Sequence, residues 1–227
     1  MKRVLLGLCC LCACLEVAAC GSGGKVSSAS LQPRLLSASS VPGFAIQRKF
    51  DWSDPVNLVG EGLALPARTR PSEAVREFTG ARYRGAAGEV IANGISVEAT
   101  EVRLGVARFD SSADANRVRD WMHGEDLKQP CFQQCIFAPG NVPVTGIPAA
   151  RFVVQTSHRP SGPPPGVRIP RGVRVPSTVG QAPSNYLAEF TVGPYLYWVI
   201  LEGAPGAQAK FEQGLRLYYA HARQSGV

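Results

Sequence analysis

Histidine and charge are both scarce in this 227-residue sequence. His123, His158 and His221 are the 3 histidines, and none belongs to an H-x-x-H or H-E-x-x-H pair, so no metal site is written into the local sequence. Serines are plentiful, yet none sits in a G-x-S-x-G elbow. Gly60-Glu61-Gly62 lacks the third glycine and the preceding strand of a phosphate cradle. Charged residues make up 18%, below the usual level of about a quarter, while 45% apolar residues are enough for a packed core and exclude wholesale disorder. Acidic neighbours such as Glu73 with Glu77, or Glu125 with Asp126, read as solvated helix or loop positions. These absences leave no catalytic motif, metal site or cofactor to build a reaction on.

A long hydrophobic run is also missing. The apolar stretch at residues 4–15 is shorter than the roughly 20 residues a membrane-spanning helix needs, and with Lys2 and Arg3 before it the stretch fits the core of a signal peptide. Val17-Ala18-Ala19-Cys20 follows, then Gly21-Ser22-Gly23-Gly24. This pattern resembles the lipobox of bacterial lipoproteins. The resemblance implies that residues 1–19 are removed, that Cys20 is acylated through its sulfur, and that residues 20–34 form the lipidated cysteine and a flexible tether. Acylation anchors strongly, because each buried methylene contributes about 0.8 kcal/mol and two chains hold where one holds only marginally. An ordinary secretory signal is the alternative, since Val17 and Ala19 also satisfy the small-residue cleavage rule. A metal site from Cys9, Cys10, Cys12 and Cys14 fits poorly, because these cysteines lie in a continuous apolar run with no histidine.

Cys131 and Cys135 are the only cysteines left beyond the anchor. Outside the cytosol two such residues predict a disulfide, and so short a loop would gain only about 2 kcal/mol, mainly fixing a local turn. Their three intervening residues do not match a C-x-x-C redox pair.

Residues 35–225 read as one α+β domain, an antiparallel β-sheet with helices packed on it. Pro71 opens a short helix with Ala74, Val75 and Phe78 at helical spacing. Asn93-Gly94 predicts a tight hairpin turn between extended arms, the second alternating through Val102, Leu104 and Val106. Ser111 with Asp114 forms a capping signature, after which Ala115, Val118, Trp121 and Met122 line one helix face. Residues 130–148 read as turns, and Phe152-Val153-Val154 starts a strand. Residues 186–192 and 195–201 form two β-prone arms across Gly193-Pro194. Pro205 opens a final helix with Ala207, Phe211, Leu215, Tyr218 and Ala222 on one stripe. The order is hairpin, helix, strand, hairpin, helix. If Leu196, Trp198 and Ile200 face the core, strand alternation points Tyr195 and Tyr197 the other way, to pack beneath the last helix or to line a groove.

Leu35-Leu36-Ser37-Ala38, the junction Arg108-Phe109-Asp110-Ser111-Ser112-Ala113-Asp114-Ala115, and Gly146-Ile147-Pro148-Ala149-Ala150 resemble small exported lipoproteins of actinobacterial type. The resemblance implies a fold like the PsbP-like sandwich or like the extracellular sensor domain of certain membrane kinases.

Acidic residues are absent from residues 159–182, which carry Arg159, Arg168, Arg171 and Arg174 among six prolines. Proline at this density favours an extended, open backbone. The segment reads either as a solvated loop or as an arm for an anionic lipid surface or an envelope protein partner; Val167, Ile169, Val173 and Val175 favour the arm. Nucleic acid is excluded as a partner by the compartment and by the lack of aromatics beside the arginines. The expected function is a non-enzymatic ligand- or partner-binding domain on the extracytoplasmic side of a membrane. The alternatives are a hydrolase or transferase with a dispersed site, and a carrier of an apolar ligand.

Overall fold

The structure is a computed structural model describing residues 24–63, 65, 69–93, 101–127, 135–157, 184–202 and 207–225. Seven strands, β1 (Ala45–Trp52), β2 (Gly85–Ala92), β3 (Glu101–Arg108), β4 (Cys135–Pro143), β5 (Arg151–Ser157), β6 (Ser184–Val192) and β7 (Tyr195–Glu202), form one sheet. Its order is β1-β2-β3-β7-β6-β5-β4, and every pairing is antiparallel. Three long helices accompany it: α1 (Pro71–Gly80), α2 (Ser112–Leu127) and α3 (Gln208–Gln224).

Helices cover both faces of the sheet. On one face Leu196, Trp198 and Ile200 of β7 join Phe78 of α1 and Ala115, Val118 and Met122 of α2. On the other, Tyr197, Val199 and Leu201 join Phe211, Leu215, Tyr218 and Ala222 of α3 together with Leu31, Leu35 and Leu36. The central strand β7 therefore has no solvent side, and Tyr197 packs under the last helix. Tyr218 fixes that helix: its ring stands edge-on to Phe190 and Tyr197 at 5.4 Å, and its hydroxyl donates to the Gly105 carbonyl at 3.2 Å. Full burial holds the Tyr218 phenol well above its ordinary pKa, so it stays a donor.

Close approach of the tryptophans to the sheet depends on glycine. A Cβ at Gly105 would lie 2.0 Å from the Trp198 ring, and one at Gly88 would lie 2.6 Å from Trp52. The two rings sit 6.2 Å apart on the α1–α2 face.

Several local expectations hold. Ser111 Oγ accepts from the Asp114 amide at 3.1 Å and donates to the Asp114 carboxylate at 2.6 Å, starting α2 as the capping pattern requires. The β6–β7 hairpin turns through Gly193-Pro194, where Gly193 takes φ +56°, a value suited to a two-residue loop. Four expectations need correction. The β2–β3 hairpin exists, but Ala92 pairs with Glu101, a register that a two-residue Asn93-Gly94 turn does not give; residues 94–100 lie outside the described residues. Residues 130–148 contain β4, an edge strand whose register shifts between Ala138 and Val142 beside Pro139 and Gly140. Before the first hairpin lies the additional edge strand β1. Packing also starts ahead of Leu35: the Val26 amide donates to the Arg84 carbonyl at 2.8 Å, and Leu31 is buried.

The two ends of the sheet differ. At one end the chain turns through residues 81–84 into β2, 109–111 into α2, and 193–194 between β6 and β7, and the longer 53–70 connection leaves β1 from this end too. The 93–100, 128–134, 158–183 and 203–206 connections all leave from the opposite end, where Ala92 pairs with Glu101 and Cys135 with Ser157.

Candidate ligand groove and buried carboxylate cluster

The larger concavity is a groove of about 800 Å³ along the first turns of α3. One wall is the segment at residues 36–44, with Leu36, Val41 and Phe44; the floor is the α3-facing side of β2, β3 and β7, including Val102 and Leu201. Its lining reaches Asn93, Leu201 and Ala207, at or next to the last described residues before or after the long connections, so the groove lies at the loop-bearing end. Such a volume is in the usual range for small-molecule sites.

Three features of α3 shape it. Gly214 lines the groove, and a Cβ there would meet nothing within 4 Å, so packing does not require glycine at this position. Leu217 is 50% exposed beside it, an apolar side chain left in view of the groove. Lys210 is the one charged residue among the described lining residues, and it is exposed. The groove thus offers carbon along its walls and one cation, the surface that an apolar chain ending in an anionic group would match.

A second cluster lies on the opposite face of the sheet. Asp126, Glu125 and His123 near the end of α2 are buried, as is Glu189 of β6. Asp126 is pushed up to about 6, chiefly by burial, against the hydrogen bond with Glu189 and helped by the Glu125 charge. Burial, then the Asp126 charge and hydrogen bond, hold Glu189 well above the usual carboxylate range, while Arg119 pulls it down. Their hydrogen bond lowers Asp126 and raises Glu189, so it favours the proton on Glu189. Glu125 accepts from the Thr69 hydroxyl at 2.8 Å, and His123 Nδ1 stands 4.0 Å from Glu189. The cavity beside these groups is about 20 Å³, room for about one water, so no substrate fits there.

This cluster corrects one sequence expectation. Glu125 and Asp126 are 8% and 6% exposed, not solvated, and His123 is packed inside. His221 instead sits on α3, its Nε2 2.9 Å from the Pro33 carbonyl oxygen. Among the described residues no three His, Cys, Asp or Glu side chains are grouped to hold a metal ion, and no helix is long and apolar enough to cross a membrane. Cys20, Cys131, Arg159, Arg168, Arg171, Arg174 and His158 lie outside the described residues, as does the side chain of Cys135, the first residue of β4. The groove itself had a single local sign, a glycine in the middle of the α3 stripe.

The α+β sheet covered by helices on both faces is a fold already seen in an extracellular protein. The chain is similar to the crystal structure of the extracellular domain of PknH from Mycobacterium tuberculosis, with a TM-score of 0.53 and 14% sequence identity, over 90% of this chain and 98% of that one. The likeness lies in the fold and accords with the part of the sequence resemblance that pointed to the extracellular sensor domain of certain membrane kinases. No protein-family model matches the sequence, and no curated protein matches it.

Proposed function

We propose that this protein is a lipid-anchored, extracytoplasmic binding domain, non-enzymatic in itself, whose groove along α3 takes an amphiphile with one long apolar chain and an anionic head, in an accessory or sensory role. The observation that carries the reading is the groove of about 800 Å³ with carbon walls, Lys210 as its charged lining residue and an unfilled Gly214 in its helix. Its position at the loop-bearing end is that of a binding face on a rigid scaffold. The likeness to an extracellular domain supports the compartment, and Val17-Ala18-Ala19-Cys20 supports the anchor. The Cys131–Cys135 disulfide would then close the connection between α2 and β4 at the same end. The arginine-rich insert, joined to the fold at Ser157 and Ser184, leaves from this end too and suits an acidic partner meeting the groove face.

Two measurements test the reading separately. Titration of the purified protein with a fluorescent long-chain fatty acid should saturate at one site, and Lys210→Glu should weaken it; no saturable binding removes the groove assignment. In cells, Cys20→Ser should move the protein from the membrane fraction to the soluble one and delete the acyl mass; unchanged retention and mass remove the anchor.

A further inference from the structure

The chain joins the fold at the end of the sheet opposite the groove. Val26 is tied by its amide to Arg84, beside the start of β2, and Gly85 closes against the Val26 carbonyl. Five residues separate Cys20 from Val26, a span that reaches about 21 Å at full extension. The eight-residue strand β3 is itself about 27 Å long. A lipid on Cys20 therefore holds the short-turn end nearest the membrane and leaves the groove on the far side.

That membrane-proximal end carries basic side chains that form no close ion pair among the described residues, although the Arg108 charge reaches Asp110. The Arg34 guanidinium lies 3.8 Å over the Tyr195 ring, and Arg108 approaches the same ring at 5.9 Å. Lys25 is exposed where the chain joins, and Arg223 is exposed on the last turn of α3, near His221 and its contact with Pro33. None of these four cations forms an ion pair among the described residues. Four carboxylates share this end: Asp110 is gripped by Arg84, Asp114 is 3.7 Å from Arg82, and Asp51 and Asp54 flank the end of β1 beside Tyr83.

We propose that Lys25, Arg108 and Arg223 form a membrane-facing surface that rests on anionic lipid head groups and orients the domain with its groove pointing away from the bilayer. The proposal rests on the anchor at Cys20. Each basic residue close to an anionic surface contributes a few-fold in binding, and the effect fades within a Debye length. The insert arginines, attached at the opposite end, take no part in it.

Lys25 and Lys210 mark the two ends, and both are exposed. The mature full chain is reconstituted in vesicles of phosphatidylglycerol with phosphatidylcholine, or of phosphatidylcholine alone, and treated with a membrane-impermeant amine-reactive ester. In the anionic vesicles Lys25 labelling should slow about fivefold and recover at about 0.5 M salt, while Lys210 keeps its rate. Equal slowing of both, or Lys25 rates indifferent to lipid charge, overturns the proposal. Arg108→Glu with Arg223→Glu, both surface positions, should abolish the protection, whereas Arg168→Glu, Arg171→Glu and Arg174→Glu together should leave it intact; the reverse pattern also overturns it. A chain that fails to float with phosphatidylcholine vesicles lacks the anchor. In that case low-salt flotation with phosphatidylglycerol vesicles still tests the surface, and the Arg108→Glu, Arg223→Glu variant must lose it.

Discussion

Replacing Gly214 by leucine sets groove occupancy and fold stability in opposite directions. A helix-interior glycine costs roughly 0.5–1 kcal/mol relative to residues with a side chain, and the space beside the missing Cβ is empty to 4 Å, so a Cβ there meets nothing. The variant should therefore be more stable by about 0.5–1 kcal/mol, a rise of about 1–4 °C in Tm for a domain of this size. The added carbons project into the groove that Gly214 lines, where they exclude the chain of an amphiphile. Two assays on one sample decide the matter: thermal unfolding followed by circular dichroism, and titration with a fluorescent fatty acid. A higher Tm with affinity reduced at least about tenfold, a loss of 1.4 kcal/mol, is expected. A Tm lowered by several degrees would mean that the position is packed, and undiminished affinity would mean that the ligand binds elsewhere; either refutes the reasoning.

Gly105→Ala should destabilise by about 1–3 kcal/mol, because its methyl would lie 2.0 Å from Trp198 in a core layer; a denaturant melt with an unchanged midpoint contradicts the packing described. The raised carboxyl groups of Asp126 and Glu189 predict an unusual pH dependence. Because the folded Asp126 sits near 6 against an ordinary 3.8, the native state binds more protons between those values, so stability falls as pH rises from about 4 to 6. The rise from 3.8 to about 6 corresponds to roughly 3 kcal/mol, and Asp126→Asn should flatten this slope. A melting profile that is flat in the parent, or equally steep in the variant, speaks against it. Lys210→Glu should weaken fatty-acid binding while leaving binding of an uncharged analogue unchanged; equal losses for both would separate Lys210 from head-group recognition.

Local signals carried much of the architecture. The Ser111–Asp114 cap, the α3 stripe and the Gly193-Pro194 turn each rest on residues within a few positions of one another, and each is found where its chemistry demands. Edge strands were harder to read. Along β1, AIQRKFDW is exposed at most positions, as suits a protected edge, so its alternation carries no core signal. Proline and glycine inside β4 read as turns, although an irregular edge pairing tolerates them. The unbroken apolar run of β7, YLYWVILE, does carry the mark of a strand buried on both faces, but the aromatics invited a one-sided reading. Burial of Glu125 and Asp126 depends on Glu189 and Thr69, each more than fifty residues distant, and no local pattern announces that. The groove is non-local in the same way, since it needs the segment at residues 36–44, three strands and α3 together.

Cross-linking with a photoreactive long-chain fatty acid, mapped by mass spectrometry, tests the groove most directly. Adducts should concentrate on the peptides holding residues 36–44 and 210–217 and disappear in Gly214→Leu. Adducts spread over α1 and α2, or insensitive to that substitution, would contradict the account.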